Sequence, residues 1–117
     1  MTPCPKPHTI RSNTHLRWIR TQPCVACQVA QPPERLRPLN QGRPRDACHV
    51  RTAANGGVAM KPSDEWTVPM CPAHHREQHE GTESFQTTYG LDLAALAKSH
   101  AARSPSRKIR DASGDMP

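Results

Sequence analysis

The sequence predicts a small α+β domain that is held together by structural zinc. The chain has 117 residues, of which only 34% are hydrophobic and 3% aromatic, so its apolar core must be thin. Cysteines and histidines recur in closely spaced pairs, a pattern typical of zinc ligands. Two short strand-like segments separated by a turn lead directly into a helical segment. Together these observations favour a compact core with a metal in place of a large hydrophobic interior.

Composition also narrows the classes of partner. The formal charge of +6 and the pI near 9.5 favour a polyanionic partner, most simply nucleic acid. Acidic membrane surfaces are the alternative, but no segment is long enough to cross a bilayer and no amphipathic basic helix with aromatic anchors appears, so no membrane partner is expected. The five cysteines are an odd number and no N-terminal apolar run resembles a signal peptide, which favours zinc over disulfides in a cytoplasmic protein.

The predicted organisation is one domain with two disordered ends. Residues 1–14 are rich in proline and predict a flexible basic arm. Residues 15–101 form the folded domain, and residues 102–117 predict a disordered tail. Within the domain, residues 31–46 contain four prolines and no hydrophobic periodicity, which indicates an irregular basic loop.

The centre of the domain predicts two strands and a helix. Residues 47–53 form the first strand, and the Asn-Gly-Gly run at 55–57 indicates a turn. Trp66, Val68 and Met70 alternate as a second strand requires. Helical residues 72–80 follow, starting with a proline at the first position and ending at a glycine.

Two more short helices are predicted after this motif. Phe85 and Tyr89 are spaced i, i+4 and predict a helical turn that packs on the core. Asp92 is a suitable N-cap for a helix that begins at Leu93.

Two short chelating pairs predict the zinc site. Cys24 and Cys27 form one pair, and Cys71 and His74 form the other at the start of the predicted helix. Each pair can place two ligands on one tetrahedral zinc, which gives a closed site of three thiolates and one imidazole. A redox-active Cys-x-x-Cys is the alternative, but no βαβ pattern surrounds it.

A second metal is suggested by the histidines left over. His75 and His79 lie four residues apart, so both imidazoles face the same side of the helix and can reach one ion. The alternative is chance, because seven histidines in a short chain produce some pairs at this spacing.

In combination, these segments resemble the HNH endonucleases, in particular the small phage and prophage branch that includes the recombination-enhancement (RecA-dependent) nucleases. The matching stretches are LRWIRTQPCVAC, CHVR and GGVAMKPSDEWTVPMCPAHHREQHEGTESF, which cover roughly residues 15–93. The resemblance implies a ββα-metal, treble-clef-like core and an HNH nuclease-like domain over residues 15–101. It also implies a chain encoded by a phage or prophage and active in the cytoplasm of the bacterial host.

Specific roles follow from the resemblance together with the chemistry of phosphodiester hydrolysis. His49 matches the first histidine of the motif and suits the general base, since a neutral imidazole accepts a proton near pH 7. His75 and His79 would hold one divalent cation, Mg²⁺, Mn²⁺, Ni²⁺ or Zn²⁺, that stabilises the leaving 3′ oxygen.

Two positions depart from the HNH pattern. Cys48 stands where an Asp or His often supplies a further metal ligand, and it is either such a ligand or a small buried residue. The asparagine of the motif has no clean match. Asp64 is the nearest polar candidate, and it would orient His49, ligate the metal or serve only as a turn residue.

The remaining expectations concern DNA. Arg51, Lys61 and Arg76 flank the expected site and either bind phosphates or are solvated surface charges. Single-stranded, duplex and branched DNA, or a recombinase filament, are all compatible partners, and a monomer is slightly favoured. The leading hypothesis is thus a metal-dependent DNA endonuclease. The alternative is a non-catalytic zinc module that binds nucleic acid or a protein.

Overall fold

The computed structural model describes residues 9–52 and 61–117, which form a small α+β fold. Its elements, in chain order, are α1 (Asn13–Thr21), a 3-10 helix (Glu34–Asn40), β1 (Asp46–His49), β2 (Thr67–Met70), α2 (Pro72–Glu80), α3 (Thr82–Tyr89), α4 (Leu93–Ala102) and α5 (Arg107–Ser113). Among these helices none has the length and apolarity that a bilayer crossing requires.

The sheet consists of β1 and β2, which pair antiparallel. Asp46 lies opposite Met70, and His49 lies opposite Thr67. All four residues of β2 are buried, so this strand runs through the middle of the fold. The other edge of β1 has no strand beside it in the two described ranges.

Strand alternation assigns the residues of β1 to two faces. Ala47 and His49 point to one face, and Asp46 and Cys48 point to the other. The second face meets α2, where the Cys48 Sγ lies 3.6 Å from the Gln78 Oε1.

Helix α1 packs on the first face of the sheet through a buried imidazole. His15 is 0% exposed, and its Nε2 lies 3.1 Å from the hydroxyl oxygen of Thr67. Its Nδ1 lies 2.7 Å from the Ser104 hydroxyl, which follows α4. Because that hydroxyl oxygen of Thr67 donates to the Asp64 carbonyl, it accepts from the imidazole N–H. His15 therefore connects three parts of the chain through satisfied hydrogen bonds.

The predicted helix starts are confirmed by their caps. Cys71 is the N-cap of α2, with Pro72 at the first helical position. The Asp92 carboxylate caps α4 by accepting a hydrogen bond from the Ala95 N–H at 3.1 Å. The Ser12 hydroxyl caps α1 in the same way, so helix begins one residue before the end of the expected arm.

The expected disordered tail at residues 102–117 is wrong, because this segment folds back as α5. Ile109 is 0% exposed and Met116 is 5% exposed, and both belong to the hydrophobic core. The Arg110 guanidinium donates to the Ser104 carbonyl at 2.7 Å and fixes the helix against the end of α4. Two apolar residues in a polar segment are too few to predict a helix from sequence periodicity. Both nevertheless pack into the core, which contains few other large apolar side chains.

The expected irregular loop at 31–46 is more ordered than predicted. Residues 34–40 form a 3-10 helix whose Leu36 is buried in the core. The last residue of the range, Asp46, already belongs to β1. Residues 1–8 of the expected arm and the expected turn at 55–57 lie outside the described residues.

Candidate metal centre and histidine site

The four predicted zinc ligands converge on one point. Cys24, Cys27, Cys71 and His74 present ligand atoms that all lie within 4.8 Å of one another. The Nδ1 atom of His74 is 3.5 Å from the Cys24 Sγ, 3.3 Å from the Cys27 Sγ and 3.2 Å from the Cys71 Sγ. This cluster could hold a structural metal such as zinc, and the predicted ligand set is confirmed at that level.

The spacing of the cluster fits a tetrahedral ion. With Zn–S and Zn–N bonds of about 2.3 and 2.0 Å, tetrahedral geometry separates two sulfurs by about 3.8 Å, and a sulfur and a nitrogen by about 3.5 Å. The observed separation of the Cys27 and Cys71 sulfurs is 3.7 Å. The ligands are therefore already placed for a zinc ion, and three of the four residues are buried.

Local backbone contacts explain why the two pairs meet. The Val25 N–H, inside the first pair, donates to the Pro69 carbonyl at 3.1 Å, which attaches that turn to the end of β2. The second pair follows β2 directly, and the His74 N–H points at the Cys71 Sγ at 3.4 Å. Hydrogen bonds from the Cys24 thiol and from His74 hold the pKa of the Cys71 thiol well below its usual range. A thiolate at this position is the form that binds metal.

Aromatic side chains fix the fourth ligand. The His74 ring is 0% exposed and stands edge-on to Tyr89, with ring centroids 5.0 Å apart. Phe85 adds a second perpendicular contact at 6.2 Å. The two aromatic residues of α3, predicted to pack on the core, thus orient the imidazole whose Nδ1 faces the three sulfurs.

The two histidines that follow form a separate pair on α2. The Nε2 atoms of His75 and His79 are 3.1 Å apart. Ligands bound about 2.1 Å from one ion are separated by about 3.0 Å at a right angle and 3.4 Å at a tetrahedral angle, so this distance suits a shared divalent cation. The His75 Nδ1 lies 3.0 Å from the Asp46 carboxylate. That contact places the ring proton on Nδ1 and leaves Nε2 free to ligate.

The histidine pair is open, unlike the four-residue cluster. Across residues 9–52 and 61–117, no third Cys, His, Asp or Glu ligand atom joins the two imidazoles. They line a cleft of about 550 Å³ whose other wall is formed by the 3-10 helix and the turn after it. Burial, together with the charges of His75 and Arg76, lowers the pKa of His79 and so favours its neutral, metal-binding form.

His49 is held by Asp64. The His49 Nε2 lies 2.9 Å from the Asp64 Oδ1, and the carboxylate is 1% exposed while the imidazole side chain is 16% exposed. Nε2 therefore carries the ring proton, and the lone pair is on Nδ1. Burial lowers the pKa of His49 despite the opposing effect of Asp64, so the ring is neutral at pH 7.

The N-terminal residues 11 and 12 fix the carboxylate of Asp64. The Ser12 N–H donates to its Oδ2 at 2.8 Å, and the Arg11 guanidinium lies 3.1 Å from its Oδ1. Hydrogen bonds from His49, Ser12 and Arg11 outweigh burial and lower the pKa of Asp64, so the carboxylate is ionised. The charges of Arg11 and Lys61 act on His49 as well, which shows that both cations lie near the imidazole.

Two of the predicted placements are not found. Cys48 was a candidate metal ligand, but its buried thiol faces Gln78, and burial raises its pKa to about 12. Cys48 therefore has the second of its two predicted roles, that of a small buried residue. The roles predicted for His49, His75 and His79 in one reaction require the three imidazoles to lie close together, but no contact in the described ranges joins His49 to the other two. His49 and Asp46 lie on opposite faces of β1, about 10 Å apart along an extended strand.

The three predicted phosphate-binding cations are divided between the two sites. Lys61 lies near His49, and Arg76 lines the cleft beside the histidine pair. Arg51 is exposed, two residues after His49.

Comparison with known proteins gives a family. The family described as "Protein of unknown function (DUF968)" matches residues 2–103, which is most of the chain. The chain belongs to the DUF968 family. It is also similar to the "Uncharacterized protein YdfU" of Escherichia coli (strain K12), with 31% identity over 83 residues, or 70% of this chain and 20% of that protein. This DUF968 chain thus spans about a fifth of the relative's length. No solved structure matches it.

Sequence reasoning missed two residues of this DUF968 site. Asp46 falls within the predicted basic loop, although a carboxylate two residues before Cys48 shares its strand face and can therefore be expected to face α2. Arg11 falls within the predicted flexible arm, and nothing in the sequence pairs it with Asp64, 53 residues later.

Proposed function

We propose that the chain is a metal-dependent DNA endonuclease that hydrolyses phosphodiester bonds. The observation that carries the proposal is the His49–Asp64 pair. A neutral imidazole, partly exposed, oriented by a buried carboxylate and flanked by two cations is what a general base for phosphodiester hydrolysis requires. The resemblance to the HNH nucleases and the net charge of +6 support the same function.

In the proposed reaction, the Nδ1 of His49 takes a proton from the attacking water. Asp64 keeps the opposite nitrogen protonated and compensates the positive charge that the ring gains. Arg11 and Lys61 supply positive charge near the phosphate. The spacing of His75 and His79 fits a divalent ion, and that ion would supply stabilisation of the leaving oxygen.

The two histidine sites can serve one strand only at the edge of the sheet. The edge of β1 away from β2 lies between the face that carries His49 and the face that carries Asp46 and meets α2. Both sites act on one bond only if a DNA strand follows this edge with the scissile phosphate between the two faces. The proposal requires this path.

The second candidate function is a non-catalytic zinc module that binds nucleic acid or a protein. The placement of His49 and Asp46 on opposite faces of β1 favours it, because two separated sites need not act on one bond. Under this alternative Asp64 serves to attach the N-terminal residues through Arg11 and Ser12.

Plasmid nicking separates the two functions. We expect the zinc-loaded chain to nick supercoiled plasmid when Mg²⁺, Mn²⁺, Ni²⁺ or Zn²⁺ is added, and His49→Ala to lose at least 100-fold in rate, as removal of a general base does. Lys98→Ala, an exposed change on α4, is the matched control and should cut normally. Equal nicking by wild type and His49→Ala, or no nicking with any of the four metals, would refute the nuclease proposal.

The pH dependence sharpens the same test. A base must be neutral to act, and the pKa of His49 is lowered, so the midpoint of the acid limb of the rate should lie below the ordinary pKa of a histidine. The hydrogen bond and charge of Asp64 raise this pKa. Asp64→Asn should therefore move the acid limb to still lower pH while reducing the maximum rate. An acid limb that moves to higher pH would contradict this role for Asp64.

A further inference from the structure

The cleft beside His75 and His79 has a second wall that the nuclease proposal leaves unused. Leu39, Arg43 and Asp46 line it from the side of the 3-10 helix. This wall is the segment that the sequence presents as an irregular basic loop.

The wall is fixed to both ends of α2. At the start of the helix, the Asn40 side-chain oxygen accepts a hydrogen bond from the Ala73 N–H at 2.8 Å. At its end, the Arg35 guanidinium holds the Glu80 carboxylate through both of its oxygens. Because these contacts lie about one helix length apart, the cleft is formed before any ligand binds.

The turn after the 3-10 helix directs the next residue toward the cleft. Gly42 has φ of 68°, a left-handed conformation that side chains other than glycine adopt at a cost. The Arg43 N–H then donates to the Asn40 carbonyl at 3.1 Å and closes the turn. Arg43 is thereby held on the wall that faces Arg76.

The acidic side chains of the cleft have ion-pair partners, whereas two of its basic side chains do not among the described residues. Its two carboxylates are both engaged, Asp46 with His75 and Glu80 with Arg35. In the described part of the chain, no side-chain hydrogen bond or ion pair engages the guanidiniums of Arg43 and Arg76. Arg76 acts on Glu80 through its charge alone. The cleft therefore offers two guanidiniums whose N–H groups have no side-chain acceptor among the described residues, and such planar cations bind a phosphate most effectively.

We propose that Arg43 and Arg76 together bind a backbone phosphate of single-stranded DNA in this cleft. The inference deepens the proposed nuclease function, on which it rests for the nature of the substrate. A volume of about 550 Å³ is that of a small-molecule site, which accommodates a nucleotide or two of a flexible single strand, whereas a rigid duplex would present only its outer phosphates to it. Leu39, 38% exposed, supplies apolar contact to the sugar or base beside the phosphate.

The test is a binding measurement that does not depend on cleavage. We would follow the fluorescence anisotropy of a labelled oligothymidylate with the zinc-loaded chain and no added divalent metal. Arg43→Ala should weaken binding about tenfold and reduce the slope of log affinity against log salt by about 0.7, the value for one phosphate contact to a single strand. Arg43→Lys keeps the charge and should lose less.

Arg107→Ala is the matched control, because this exposed arginine on α5 pairs with Asp111 and does not line the cleft. It should keep both the affinity and the salt slope of the wild type. The inference is overturned if Arg43→Ala and Arg107→Ala bind equally, or if the chain binds no oligothymidylate. It is also overturned if a duplex of the same length binds more tightly with the same dependence on Arg43. Failure of plasmid nicking leaves these outcomes unchanged, so the inference and the nuclease proposal fail separately.

Discussion

Helix α2 carries part of the four-residue Cys/His cluster and the separate pair of His75 and His79, and the two groups differ in burial, number of ligand atoms and surroundings. The first joins Cys71 and His74 to the Cys24–Cys27 turn, and its four ligand atoms already have tetrahedral spacing. The second consists of His75 and His79, half-buried or exposed at the rim of a cleft, and no other Cys, His, Asp or Glu ligand atom of residues 9–52 and 61–117 joins them. A closed site with four protein ligands serves the fold, whereas an open site leaves coordination positions for water or substrate. Adjacent histidines in one helix can thus belong to different chemistry.

The side chains that surround the histidines also differ between the two clusters, apolar around the first and charged beside the second. The His74 ring is surrounded by aromatic side chains and has no exposed surface. The His75 ring is oriented by a carboxylate, Asp46, whose side chain is 33% exposed. Apolar packing holds the His74 imidazole in one orientation, while a carboxylate partner makes an imidazole more basic and would tune an ion bound to it.

The largest expected effect is the loss of the closed cluster in Cys27→Ser. Structural zinc contributes on the order of 10 kcal/mol to folding in small zinc domains, which equals the whole stability of a typical domain. We expect the variant to lose its zinc and its cooperative thermal transition, measured by circular dichroism and metal analysis.

Cys48→Ala is the matched control for that variant, because it removes a buried thiol that faces Gln78 and lies outside the cluster. It should keep one zinc per chain and cost about 1 kcal/mol of unfolding free energy. If Cys27→Ser keeps its transition, or Cys48→Ala loses the zinc, the structural role of the cluster is refuted.

The closed cluster was predictable from sequence because its information is local. Each ligand pair spans four residues, and the proline after Cys71 marks the helix start that presents His74. The i, i+4 spacing placed His75 and His79 together for the same reason. Caps and helix positions from Pro72 to Ala102 followed the same local rules.

The predictions that the structure does not match depend on the register of the sheet and on which face each strand residue occupies. A shift of one residue in the register moves every side chain of a strand to the opposite face of the sheet. Sequence spacing therefore could not decide whether His49 faces α2 or α1. The contact between His49 and Asp64 is one of three open alternatives, and the register of the sheet selects it, because His49 lies opposite Thr67, three residues after Asp64. Helix α5 was missed because two buried apolar residues, Ile109 and Met116, are too few to show a period.

The next expected effect, on the open pair, is confined to metal binding. His79→Ala removes one of two imidazoles from an exposed helix position, so the free energy of unfolding should change by no more than about 0.5 kcal/mol. Affinity for a second divalent ion should fall by more than the roughly 10–100-fold that follows loss of an outer partner. Calorimetric titration of the zinc-loaded chain with Mn²⁺ or Ni²⁺ measures this. Wild-type chain that binds no second ion, or a variant that unfolds, would remove the contrast between the clusters.

The smallest expected effect comes from Asp46, which touches the pair without ligating it. Asp46→Ala removes the acceptor of the His75 Nδ1 proton, so both ring tautomers become accessible and only one presents Nε2 to the ion. We expect the second ion to bind about 10-fold more weakly, at the lower end of the range for outer partners because the contact is partly exposed. Asp46→Asn keeps an acceptor oxygen and should lose less. The zinc content and the thermal midpoint should follow the wild type in both variants. If Asp46→Ala binds the ion as tightly as wild type, Asp46 contributes only a surface ion pair, and the open site consists of two unaided imidazoles.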